Sequence, residues 1–334
     1  MQHDVHAPGR EAGSGSVVVG AVIDFFASSQ GGEMLRVSGS LKKLLGVVAA
    51  GTLLLGSGAA MAQIATTKHN LGTTGAAGQN RSGGTEEICV FCHTPHGADT
   101  SAQAPLWNKN LQTLGTGANA YQVYSSSTMD AARASDGNGG GSIGSVSLAC
   151  LSCHDGTQAM DNVINAPGSG GYDVTGGGAP GRQGAGPAGD WGWTGPNVTA
   201  DGLMANPTTN VALIGTDLRN DHPIGIQYCG GGITGTGTAG CKDADFWGGG
   251  TNTGRLRNAT INAQNVWWVD TEATTGNNAR NKTDMILYTR AFSDGTTGPS
   301  VECASCHDPH TAAAPTFLRV SNTGSQVCLS CHVK

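Results

Sequence analysis

Large and charged side chains are scarce in this 334-residue chain. Aromatic residues make up only 5% of it and charged residues 13%, too few for a conventional core or for a charge-rich disordered tail. There is no basic excess: the formal net charge is −6, which excludes a nucleic-acid surface built on bulk charge. Sustained helical periodicity is also scarce. Glycine takes up much of the composition, with 54 residues. A glycine-rich chain of low charge needs apolar mass from something other than its side chains. The ten cysteines are the place to look for it.

One apolar run stands out, Leu44 to Ala60, and it is short for a membrane span. Arg36, Lys42 and Lys43 precede it, and Ala60-Met61-Ala62 follows as an A-x-A cleavage site before Gln63. Residues 34–62 therefore read as a secretory signal peptide, with no membrane span left after cleavage. Residues 1–33 lie upstream of a complete signal and are expected to be a mis-assigned extension, with Met34 as the true start. An exported chain matures where disulfides persist and where c-type haem is attached in bacteria.

The motif C-x-x-C-H occurs four times: Cys89, Cys92 and His93; Cys150, Cys153 and His154; Cys303, Cys306 and His307; Cys328, Cys331 and His332. Two thiols three positions apart share one side of a helical turn and can bond the two vinyl groups of one haem, while the adjacent His reaches the iron. Thr85, followed by Glu86 and Glu87, can start such a turn before Cys89. The competing chemistries are a redox dithiol and half a zinc site. Neither explains an immediate His after every pair. Four copies predict four covalently bound haems c, and these supply the missing apolar mass.

Beyond the signal peptide there are eight histidines, so four are spare: His69, His96, His222 and His310. Four haems and four spare histidines predict bis-histidine iron throughout. His96 and His310 each lie three residues after a proximal His and cannot reach the far face of their own haem. His96 is expected on the haem of His154, and His310 on that of His332. His222 precedes Pro223, which restricts its backbone. His69 lies near the mature N-terminus, where a bond to iron would tie the segment down. Met129, Met160, Met204 and Met285 are the competing sixth ligands, and none has a distinctive context.

The order C-x-x-C-H-x-P-H, Ala104-Pro105-Leu106-Trp107, C-x-x-C-H recurs at the end of the chain with Ala314-Pro315-Thr316-Phe317. This predicts two related haem pairs, at 63–154 and 303–334, in one domain spanning 63–334. A glycine-rich middle segment, 155–302, separates them and holds five of the six tryptophans; Val266 to Val269 reads as a strand within it. Cys229 and Cys241 are left over and are expected to form a disulfide. The rival is a stretched haem site, since Lys242 follows Cys241. The fold expected is mostly coil with short helices at the haem sites and few strands, wrapped around a chain of four c-type haems.

The C-x-x-C-H-T-P-H, C-x-x-C-H-D-P-H, D-H-P-I-G and K-H-N-L segments resemble those of multihaem cytochromes of metal-reducing bacteria. In particular, the chain is similar to the tetrahaem type that polymerises into extracellular filaments. That resemblance implies a homopolymer in which a histidine of one subunit, here His69, ligates a haem of the next. Redox-partner cytochromes or extracellular acceptors would exchange electrons with it. The expected function is electron transfer in respiratory electron export, at the cell surface or outside the cell. The alternatives are a discrete periplasmic carrier and a multihaem reductase with one open haem.

Overall fold

The structure, a computed structural model, describes residues 63–111, 121–135, 143–168, 191–206, 208–272 and 279–333. The upstream extension, the signal peptide and part of the glycine-rich run from Gly168 to Gly186 lie outside the described residues. Among those described, α-helix occurs only at the haem motifs: α1 (Ser145–His154), α2 (Cys303–Cys306) and α3 (Gln326–Leu329). The first motif forms a single 3₁₀ turn, Cys89–Phe91. These helices end quickly for local reasons. After α1 comes Gly156 at φ +73°, the left-handed conformation that stops a helix, and a Cβ there would lie 2.8 Å from Leu213.

The middle segment is more ordered than its composition suggests. Strands β1 (Ile226–Gln227), β2 (Leu256–Ile261), β3 (Gln264–Val269), β4 (Met285–Ala291) and β5 (Thr297–Val301) form an antiparallel sheet in the order β1-β5-β4-β3-β2. The run expected as a strand, Val266 to Val269, is the second half of β3. β2 and β3 are joined by Asn262 and Ala263, both at positive φ, as a two-residue hairpin loop of this hand requires. The neighbouring strand β2 escaped notice in the sequence because the usual Asn-Gly hairpin signal is absent; Asn262-Ala263 stands there instead.

Two larger apolar clusters, beside two small ones, share the work of a core among the described residues. One face of the sheet supplies Leu256, Trp267, Val269, Met285, Leu287 and Val301, at the alternate positions that a strand turns to one side. This cluster packs against Cys306 and Cys331 of the third and fourth motifs. The other cluster joins Val90, Phe91, Met160, Val163, Trp191 and Trp193, and packs against Cys92 and Cys153 of the first two motifs. Each predicted haem pair thus has its own apolar backing. Two short ladders, Arg81–Ser82 with Trp193–Thr194 and Gln122–Val123 with Asp217–Leu218, tie the coil segments together.

Candidate haem-binding site

Each motif sits on one helical turn. The His93, His307 and His332 amides donate to the carbonyls of Cys89, Cys303 and Cys328, at 2.8, 3.1 and 2.9 Å. Such a bond wraps the C-x-x-C-H into one turn, with both thiols and the imidazole at its edge. None of the eight motif cysteines is in a disulfide, whereas Cys229 and Cys241 are joined to each other. The disulfide is the pairing expected from the sequence, in place of the stretched haem site. Thr85 Oγ1 accepts the Glu87 amide at 3.0 Å, a local turn ahead of the motif, while the turn at Cys89 itself is capped by Ile88 with no side-chain cap, so Thr85 does not start it as expected.

A second segment of chain returns to grip each motif. In the first, the Thr94 amide donates to Leu106 O, the Asn108 amide donates to Cys92 O, and His93 Nδ1 lies 2.6 Å from Pro105 O. In the third, the Asp308 amide donates to Phe317 O, the Arg319 amide donates to Cys306 O, and His307 Nδ1 lies 2.8 Å from Thr316 O. The sequence repeat is thus a structural repeat, shifted by one residue: Pro105 corresponds to Thr316 and not to Pro315. In the second motif His154 Nδ1 lies 2.7 Å from Ala212 O, and the Ile214 amide donates to His154 O. In the fourth, the Trp247 amide donates to Cys331 O, while the Phe246 ring packs 4.2 Å from that of His332. The middle segment therefore builds part of two sites, which its composition did not reveal.

A carbonyl facing Nδ1 selects the tautomer with its proton there. The lone pair is then left on Nε2, the form in which histidine binds a metal. Three of the four spare histidines likewise set Nδ1 against an oxygen. His69 Nδ1 lies 3.3 Å from Pro309 O, His222 Nδ1 lies 2.9 Å from Pro223 O, and His310 Nδ1 lies 3.2 Å from Asp308 Oδ1. Asp308 is held low, at about 2, chiefly by its hydrogen bond with the His310 side chain. Burial, reinforced by His154, pushes His69 down to about 4, and burial lowers His154 as well. Both imidazoles are therefore neutral at pH 7, as ligation requires.

The spacing of the rings fits an iron between them. A metal–nitrogen bond of about 2 Å, plus about 1.1 Å from ring nitrogen to ring centre, sets two axial imidazoles about 6.3 Å apart, centre to centre. The His93 and His310 centres are 6.1 Å apart with planes 14° from parallel. Those of His69 and His154 are 6.2 Å apart with planes at 74°. His93 and His154 each have one spare histidine ring beside them at about that separation. The sequence expectation set His310 on the haem of His332 and His96 on that of His154; the proximal ring beside His310 in the structure is that of His93. The reason lies in the loop after the third motif: Pro309 O holds the His69 ring, which stacks on Phe317 at 4.3 Å, while His310 itself turns toward the first motif. His96 and His222 are exposed, and no ring contact joins either to another imidazole among the described residues. Trp107 stands edge-on to His93, 6.1 Å away, and its buried Nε1–H has no partner, a donor suited to a carboxylate of the haem.

Burial, then the charge of Cys153, raises Cys92 to about 12. Cys150 is raised foremost by its hydrogen bond with Cys303, which joins the second motif to the third. Burial, then the charge of Cys306, raises Cys331. Of the competing methionines, Met160 and Met285 are buried in the two clusters, where they serve as packing.

Residues 298–334 match the family model described as the doubled CXXCH motif. The match spans the third and fourth motifs, and doubled CXXCH motifs bind haem c covalently. It supports a multihaem c-type cytochrome. No curated protein matches the chain. The match is consistent with an electron-transfer protein, and the residues of the first two motifs present the same turn, the same carbonyl grip and the same free thiols.

Proposed function

We propose that this chain transfers electrons through four covalently attached haems with bis-histidine iron. The observation that carries the reading is the pair of facing imidazoles, His93 with His310 and His69 with His154, at the span of one iron and with Nδ1 committed elsewhere. The haem supplies a one-electron couple between ferric and ferrous iron. The protein's part is placement. The return segments fix the imidazoles, the two apolar clusters exclude water from the thioether edges, and iron held on both faces offers no position to a substrate. Paired imidazoles without methionine favour low potentials.

The finer proposal is a subunit of an extracellular filament for respiratory electron export, in a chain exported by its signal peptide. The geometry supports His69 as a ligand within its own chain. Assembly then draws on His96 or His222, which are exposed. A discrete periplasmic carrier would complete every iron from within its own chain. The reductase reading requires one iron without a second histidine. No helix among the described residues is long and apolar enough to cross a membrane.

Addition of nitrite and cyanide to the oxidised protein tests the reading. All-low-spin spectra that neither anion perturbs are expected; rapid anion binding at one haem would replace electron transfer with catalysis. Electron microscopy of concentrated protein separates filament from carrier.

A further inference from the structure

One buried charge stands between the second and third attachment sites. Glu302 is 1% exposed and precedes Cys303. Its Oε1 accepts Arg290 Nη1 and Ser300 Oγ, each at 2.9 Å, and its Oε2 accepts Ser147 Oγ from α1. Ser147 Oγ in turn accepts the Cys303 amide at 3.0 Å. Glu302 also closes a reciprocal cap on α2 with Ser305. Gly144, at the start of α1, lets the guanidinium in: a Cβ there would lie 2.9 Å from Arg290 Nη2. Burial raises the Glu302 carboxyl, while Arg290, ahead of the Ser147 and Ser300 hydroxyls, works against that and favours the ionised form in the ion pair.

These contacts join two motifs that are about 150 residues apart in sequence, at the point where the Cys150 and Cys303 side chains meet. A purely structural joint could use neutral groups, because burying an ion pair costs desolvation that apolar packing avoids. We propose that the Glu302–Arg290–Ser147 cluster is the joint that fixes the second haem site against the third, and that its two opposite charges set the reduction potentials of those two haems. A fixed anion beside a haem stabilises the ferric form and lowers its potential; a fixed cation does the reverse. This rests on the haem reading, because the cluster has no redox role without attached haem.

The test is a pair of variants in the mature, haem-loaded protein, Glu302→Gln and Arg290→Gln. The intact mass of the wild-type protein and of each variant is measured first, which separates failure of the haem reading from failure of this one. A redox titration followed by electron paramagnetic resonance then reads the haem of His69 and His154 separately from that of His93 and His310, because their ligand planes differ. E302Q is expected to raise the midpoint of the former more than that of the latter, and R290Q to lower it. Either variant decides by its sign if the other fails to mature. A joint that only holds structure would move both variants the same way or not at all, and that outcome, or an equal shift of all haems, overturns the proposal.

Discussion

Replacing His310 with alanine should open one iron. His310 lies 6.1 Å from His93 with planes 14° from parallel, and its Nδ1 is anchored to Asp308, so on the proposed function its Nε2 would complete the first site. Alanine removes the whole imidazole and leaves room for a free one. With four haems present, one becoming five-coordinate should convert about a quarter of the ferric absorbance from low-spin to high-spin, because coordination number sets the spin state. Absorption and magnetic circular dichroism read that fraction directly. Added imidazole should restore the low-spin spectrum, since the vacated space has the shape of the ring. A spectrum that stays wholly low-spin, or one that changes for His96→Ala and not for His310→Ala, would refute the pairing drawn from the ring geometry.

The remaining predictions concern the same frame. Parallel imidazoles donate into one iron d orbital and perpendicular ones into two, so the oxidised protein should show at least two distinct low-spin resonance signals, and His69→Ala should abolish the one from the perpendicular pair at 74°; loss of a different signal would count against the assignment. Ala263 sits at φ +62° in the hairpin between β2 and β3, and Ala263→Gly should stabilise the protein by about 1 kcal/mol, measured as a rise in Tm. Replacing Cys229 and Cys241 by serine opens a loop of 12 residues and should cost about 3 kcal/mol in urea unfolding, with exchange protection lost first around Phe246 and Trp247, which grip the fourth motif.

What was legible in the sequence was the chemistry that local spacing carries. C-x-x-C-H specifies a turn and its ligands within five residues, and the structure shows such a turn at all four copies. The leftover cysteines paired because their surroundings are the same loop. The longer-range parts were hidden. Carbonyls grip the imidazoles, and a carbonyl is present in every residue, so nothing marks Pro105, Ala212 or Thr316 in advance. The A-P-L-W and A-P-T-F runs did mark the grip, but pairing proline with proline set it one residue out of register. Glu302 gave no signal either: its partners Ser147, Arg290 and Ser300 come from a helix and two strands that meet only in the fold. Which spare histidine faces which motif was likewise a matter of topology, decided by the loop that carries Pro309 and His310.

The most direct test of the account is the intact mass of the exported protein, followed by peptide mapping of its cysteines. The account predicts a chain beginning at Gln63 and heavier than its polypeptide by four haems, with thioether bonds at Cys89, Cys92, Cys150, Cys153, Cys303, Cys306, Cys328 and Cys331, and with Cys229 bonded to Cys241. A mature chain with free thiols at any of the four motifs, or with those cysteines paired as disulfides, would contradict it.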